Sequence, residues 1–291
     1  MNLTKNGATV RRFGAHTSIA GAIDRGASEA VELGATAFQI FSRSPRIWRA
    51  APIDEAAAAR FRALREEHDL RPALVHASYL LNLAAADPEV RRRSVAGFRE
   101  ELERASPIGA DAVVLHPGSA KDGCAIEARE RFREAFAEAV EGFEWDGLGV
   151  LLENTAGGGG SLGCAFDELA ELAESCGAAA PLGFCLDTAH LFASGCDIAT
   201  PRGLERTLAD LDAALGLDRV RAIHFNDSKT ARGSRVDRHA RLGEGLIGRR
   251  ALARIVNHPL LRDKPFILET PPDADGSHRG NIAALKQLMK G

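Results

Sequence analysis

The chain reads as an α/β protein folded as a (β/α)8 TIM-type barrel, and three observations predict it. Eight short apolar runs recur along the 291 residues, amphipathic stretches separate them, and no linker, low-complexity tract or charge block interrupts the alternation. The alternative use of such units is a doubly wound open sheet, but no GxGxxG follows the first run.

In chain order the predicted strands are Arg12 to His16, Ala37 to Phe41, Ala73 to His76, Ala112 to His116, Gly149 to Glu153, Leu182 to Asp187, Arg221 to Asn226 and Pro265 to Glu269. Each is bounded by Gly, Pro or polar residues and has the length of a buried parallel strand. Helices are predicted at Asp54 to His68 with Asp54 as N-cap, Pro88 to Ala105, Ile126 to Glu141, Phe166 to Ser175 and Asn281 to Lys290. Phe132, Phe136 and Val140 have helical spacing and read as core. The run Gly157 to Gly160 falls at a strand-to-helix turn, where the backbone bends tightly or approaches a ligand. The expected organisation is a single barrel domain over 1–291, with 1–11 as an N-terminal extension.

With 45% hydrophobic residues the chain has ample material for a large core. Neither an apolar signal segment nor a stretch of about 18 apolar residues occurs, so no membrane association is expected and a cytoplasmic location is the default. Five cysteines without CxxC spacing argue against a disulfide framework or a thiolate zinc site. A formal net charge of −3 excludes a globally basic nucleic-acid binder, leaving room only for a local basic patch.

In a barrel of this kind the active site lies at the carboxyl ends of the strands. Seven of the eight runs close on a residue able to ligate metal or transfer protons: His16, His76, His116, Glu153, Asp187, His224 and Glu269. Leu74, Val114, Leu151, Cys185, Ala222 and Ile267 precede six of these by two positions, so an apolar interior is expected beneath the polar ring. Crowded imidazoles and carboxylates repel and desolvate one another unless divalent cations lie among them.

Two further sources of ligands adjoin the ring. His190 follows Asp187 by one helical turn, and Asp237 and His239 lie in the long connection from Ile223 to Gly245, beside Lys229, Arg232, Arg235, Arg238 and Arg241. The set reaches nine: His76, His116, Glu153, Asp187, His190, His224, Asp237, His239 and Glu269. Nine ligands with bridging carboxylates suit three ions, and imidazole with carboxylate suits Zn, Mn or Fe.

At this point a family resemblance emerges. HASYLLNLA (76–84), LHPGS (115–119), LENTAGGG (152–159), LDTAHLFASG (186–195), HFNDSK (224–229), GSRVDRHARLGEG (233–245) and LET (268–270) resemble, in order, the signature segments of the endonuclease IV family. The resemblance implies a xylose-isomerase-like TIM barrel with three Zn2+, Mn2+ being an alternative, that cleaves duplex DNA 5′ to abasic sites. The products would carry a 3′-hydroxyl and a 5′-deoxyribose phosphate, and trimming of 3′ blocking groups is a further expected activity. It also assigns His76, His116 and Glu153 to the first ion, Glu153, Asp187, His224 and Glu269 to the second, and His190, Asp237 and His239 to the third. Glu153 and Glu269 are the expected catalytic carboxylates, acting on a hydroxide that the metals generate from water.

The segment FSRSPRIWRA after the second strand resembles the family's DNA-probing loop, with Arg46 entering the base stack and Tyr79 wedging the minor groove. Lys229, Arg235 and Arg238 are expected on phosphates, and a monomer is expected. The N-terminal extension, Ser44-Pro45 and Ile47 depart from the family pattern. Two rivals remain: a metal-dependent sugar isomerase or epimerase on the same barrel, which needs neither a third ligand set nor a probing loop, and a non-catalytic abasic-DNA-binding protein, which would not need a complete ligand set.

Overall fold

The structure, a computed structural model, describes residues 10–121 and 123–290. Eight parallel strands form one sheet: β1 (Phe13–Ala15), β2 (Phe38–Phe41), β3 (Ala73–His76), β4 (Ala112–Leu115), β5 (Gly149–Glu153), β6 (Leu182–Asp187), β7 (Val220–His224) and β10 (Phe266–Leu268). A short antiparallel ladder, β8 (Asp227–Ser228) with β9 (His239–Ala240), sits between the last two. The strand order β1-β10-β7-β6-β5-β4-β3-β2 runs around a barrel, and a parallel bridge between His16 and Gln39 brings β1 against β2 to close it.

Side-chain alternation divides the apolar residues into two sets. Ala37, Leu74, Ala112, Val114, Leu151, Cys185, Ala222 and Ile267 fill the barrel, including all six interior positions expected from the sequence. Their neighbours, among them Phe38, Val75, Val113, Leu152 and Phe184, face the helices together with Phe61, Phe98, Phe132 and Phe136. Phe132, Phe136 and Val140 are buried there as their spacing predicts.

Nine helices surround the barrel among the described residues: α1 (Asp24–Glu32), α2 (Glu55–Glu67), α3 (Pro88–Ala105), α4 (Ala125–Val140), α5 (Phe166–Ser175), α6 (Thr188–Ser194), α7 (Pro201–Leu215), α8 (Arg249–Val256) and α9 (Arg279–Leu288). Starts follow local chemistry. Asp54 accepts the Ala57 amide at 2.8 Å, and Asp87 accepts those of Glu89 and Val90 ahead of Pro88. Four helices lie outside the five singled out from the sequence. Two of them, α1 and α7, contain Gly26 and Gly203, which weaken the helical signal; a Cβ on Gly26 would stand 2.5 Å from Ile40, so glycine permits close helix–sheet approach.

Three predicted strands run one residue too far, because His16, His116 and Glu269 lie just past the ladders of β1, β4 and β10. Pro117 lacks the N–H to prolong β4, and the Glu269 amide donates to the Asn226 side chain at 2.8 Å. Of the expected extension, residues 1–9 lie outside the described residues. The Arg11 guanidinium donates to the main-chain oxygens of Val256 and Lys290 at 2.5 and 3.3 Å. No described helix is long and apolar enough to cross a membrane.

Candidate metal centre

The carboxyl rim is built around Glu153, which ends β5 with no exposed surface. Its Oε2 lies 3.2 Å from His76 Nε2 and 3.4 Å from His116 Nε2, and its Oε1 lies 2.9 Å from His224 Nδ1 and 3.4 Å from His190 Nδ1. One carboxylate thus faces four imidazoles delivered by β3, β4, α6 and β7.

Among the described residues, three groups have ligand atoms within 4.8 Å of one another: His76, His116 and Glu153; Glu153, Asp187, His224 and Glu269; and Asp187, His190 and His239. The first two match the groupings the resemblance implies. The third differs, because Asp187 completes that trio and Asp237 flanks it from a half-exposed loop, with Oδ2 3.3 Å from His190 Nε2 and Oδ1 3.1 Å from His239 Nε2. Glu153 and Asp187 each therefore belong to two groups.

The donor set fits divalent cations on two counts. Nitrogen and oxygen ligands bonded at about 2.0–2.1 Å to a tetrahedral ion stand roughly 3.3 Å apart, and the His76–Glu153, His224–Glu269, His190–Asp237 and His239–Asp187 separations are 3.2, 3.2, 3.3 and 3.4 Å. His239 Nε2 is also buried with no hydrogen-bond partner, although two carboxylates approach it. A lone pair in that position suits a cation.

Protonation shows the same electrostatic tension. Burial opposes the Glu153 anion, but the charges of His224 and His116 and the contacts from His190 outweigh it and hold the carboxyl well below its usual range. At Asp187 burial wins, and the carboxyl is raised despite His190 and His239. Burial pushes His116 down to about 4, whereas His190 and His224 are held well above the usual imidazole range, burial being outweighed by Asp187, Asp237 and Glu153 at His190 and by Cys185, Glu153 and Glu269 at His224. Without cations, protons carry the compensating charge.

Outer contacts orient these ligands, and the sequence reading did not single them out. Asn154 accepts the Asp187 amide at 2.7 Å through its side chain and takes His190 Nδ1 at 2.9 Å on its main-chain oxygen. Asn226 donates to Asp187 Oδ2 at 2.6 Å while accepting the Glu269 amide. Both follow ligands directly or closely in LENT and HFND, which is the only signal the sequence offers. The Asp227 carboxylate accepts main-chain N–H groups from Ser228, Gly243, Gly245, Ile247 and Gly248, pinning the turn that returns from β9.

His16 is half-buried, with Nδ1 3.6 Å from Glu269 Oε1. Beyond the rim, a cleft of about 490 Å³ runs past His116, Asp237, Arg235, Ser119, Asn82 and Tyr79. Tyr79 is 63% exposed and stands edge-on to Phe41 at 5.2 Å, so its position is braced while its face stays open. Arg46, Lys229, Arg235 and Arg238 are exposed and form no ion pair among the described residues. Arg232 and Arg241, by contrast, pair with Asp197 and Asp273 at 3.3 and 3.8 Å. Arg235 adopts φ 55°, and its carbonyl approaches Gly158 so closely that a Cβ there would stand 2.4 Å away. Gly158 thus serves close backbone approach between the loop after β5 and the β8–β9 connection.

The segment from Phe41 to Ala50 rests on a buried ion pair. Arg43 Nε donates to Glu101 Oε1 at 2.8 Å, and its other nitrogens reach Glu100, the Gly97 oxygen and the Trp48 oxygen. Glu101 also takes Ser42 Oγ at 2.5 Å and the Ser78 amide at 3.3 Å, and Ser78 Oγ donates to the Pro45 oxygen. Arg46 and Tyr79 therefore project from two loops fastened to one carboxylate.

Fold and site together define the class: a parallel eight-stranded barrel whose carboxyl rim gathers imidazoles and carboxylates at metal-ligand spacing. The family model described as xylose isomerase-like TIM barrel matches residues 27–289. A probable endonuclease 4 of Solibacter usitatus is 47% identical over 279 residues, covering 95% of this chain and 96% of the relative. Endonuclease 4 of Thermus thermophilus is 46% identical over 293 residues, covering 96% and 98%. A crystal structure of endonuclease IV from another strain of Thermus thermophilus superposes with a TM-score of 0.84 at 43% identity, covering 95% of this chain and 98% of that one. The chain belongs to the endonuclease IV family.

Proposed function

We propose that the protein is an abasic-site endonuclease that hydrolyses the phosphodiester bond 5′ to an abasic nucleotide in duplex DNA, leaving a 3′-hydroxyl and a 5′-deoxyribose phosphate. The observation that carries this reading is the junction of three ligand groups through Glu153 and Asp187, at the head of a cleft flanked by Tyr79 and Arg235.

When bound, the cations supply a lowered pKa for a water and positive charge for the departing oxygen. The ligand set is His76, His116, Glu153, Asp187, His190, His224, Asp237, His239 and Glu269, and three Zn2+ are proposed, with Mn2+ as the alternative. Glu153 would supply a carboxylate oxygen to each of two ligand groups, and Glu269, with His16 and His224 beside it, would orient the attacking water. Arg46 and Tyr79 fill the space of a displaced nucleotide. Extruding an abasic residue forfeits less stacking than extruding a base, which provides selectivity without base readout. Lys229, Arg235 and Arg238 grip phosphates.

Processing of 3′ blocking groups, a monomeric single-domain protein and a cytoplasmic location without membrane attachment complete the proposal. The third ligand group and the exposed arginine and tyrosine favour DNA over a sugar, which an isomerase would bind at one or two ions in a closed pocket. The test is incubation of metal-replete protein with a duplex holding one abasic analogue. A nick with a 3′-hydroxyl is expected. Binding without nicking would point to a damage-binding protein, and neither binding nor nicking would overturn the DNA reading.

A further inference from the structure

Gln39 is the one polar side chain that β2 sends into the barrel. It lies two positions after Ala37, is paired in register with Leu74, and is fully buried between the apolar interior and the polar rim. A buried amide is tolerated when its polar atoms are satisfied, and here all of them are. Its Oε1 stands 2.8 Å from His224 Nε2, and its Nε2 stands 2.7 Å from Glu269 Oε1 and 3.0 Å from His16 Nδ1.

The partners decide which way the amide points. Glu269 offers only acceptors, so the Gln39 nitrogen must face it; the opposite flip would set two oxygens 2.7 Å apart. With the nitrogen so placed, the Gln39 oxygen accepts from His224 and requires a proton on His224 Nε2. His224 Nδ1 is then the nitrogen that faces Glu153 Oε1 and Glu269 Oε2, at 2.9 and 3.2 Å, and its lone pair becomes available to a cation once the proton there leaves. The same amide occupies Glu269 Oε1, leaving Oε2 for the shared centre. Main-chain geometry reinforces the placement, since Gln39 forms the barrel-closing bridge with His16 and its carbonyl accepts the Thr17 amide at 2.8 Å.

We propose that Gln39 is a positioning residue of the second metal group, fixing His224 as the Nε2–H tautomer and Glu269 as a one-oxygen ligand, so that Nδ1 and Oε2 are presented to one cation. This deepens the metal-centre reading and rests on it. Outer-shell partners of this kind change metal affinity about 10- to 100-fold when removed.

The experiment uses the full chain and two variants. In metal-free protein, long-range ¹⁵N NMR of the His224 ring, at a pH where the ring is neutral, should show a proton on Nε2 in the wild type and a mixture of tautomers in Gln39→Leu. Zinc titration calorimetry should show one class of site weakened about 10- to 100-fold in that variant while the other classes are unchanged. Gln39→Glu keeps an acceptor for His224 but sets a carboxylate against Glu269, so it should retain the tautomer without restoring affinity. A wild-type His224 protonated on Nδ1, or a folded Gln39→Leu with unchanged tautomer and zinc affinity, would overturn the proposal. If wild type binds no zinc, the metal reading fails separately, while the metal-free spectra still decide whether Gln39 sets the tautomer.

Discussion

Asp237 Oδ2 lies 3.3 Å from His190 Nε2, although the two side chains come from separate βα units. The contact joins the half-exposed loop before β9 to the buried start of α6. Asp237→Asn keeps the size and removes the charge, so one ion per chain should be lost or weakened at least tenfold while the other sites keep their metal. Elemental analysis after dialysis reads this out, and full metal content in the variant would remove Asp237 from the ligand set.

A pH dependence follows for the metal-free protein. Burial disfavours the His239 imidazolium, but the neighbouring Asp187 and Asp237 carboxylates outweigh it and push the ring up to about 9. A folded pKa above the unfolded value of about 6.5 means that this stabilisation is fully present below about pH 6.5 and is lost as pH rises through about 9. The denaturation midpoint of metal-free protein should therefore fall over that window. In His239→Asn the part of the fall that comes from this ring should vanish, and an unchanged slope would contradict the assignment.

Most of the barrel was legible in the sequence, and so was most of the rim, for one physical reason. A buried parallel strand is a bounded apolar run, and a ligand at its end breaks that run visibly, as His76, Glu153, Asp187 and His224 do. Asn154, Asn226, Asp227 and Gln39 left little trace because their role lies in which atom faces which, something spacing does not encode. The β8–β9 ladder, only two residues on each side, is too short for a period-2 signal.

The Arg43–Glu101 pair makes a separable prediction about the loops that carry Arg46 and Tyr79. Removing one partner of a buried ion pair leaves the other charge uncompensated, so Glu101→Gln should cost about 3 kcal/mol of stability. Because Ser42, Arg43 and Ser78 all bond Glu101, the variant should also bind abasic duplex more weakly while retaining its metal. Denaturation and fluorescence anisotropy measure the two effects, and a stable variant with wild-type affinity would show that the loops do not depend on this carboxylate.

Tyr79 and Arg46 should affect DNA and not metal. Tyr79→Ala removes an exposed aromatic face braced on Phe41, and stacking of that kind is worth about 1–3 kcal/mol. Its KM for an abasic duplex should rise roughly 10- to 100-fold with metal content unchanged, and Arg46→Ala should act in the same direction. Equal KM values for the variants and the wild type would place the probing surface elsewhere.

The Asp187 carboxylate has two mechanical duties at once. Oδ1 accepts the His190 amide that begins α6, while Oδ2 stands 3.4 Å from His239 Nε2 and takes the Asn226 side chain. A cation drawn to this carboxylate would share it with the first hydrogen bond of a seven-residue helix. Solvent exchange at the His190 amide is accordingly a reporter built into the backbone: stripping the cations should change how fast that single proton is replaced by deuterium, before any nucleic acid is added.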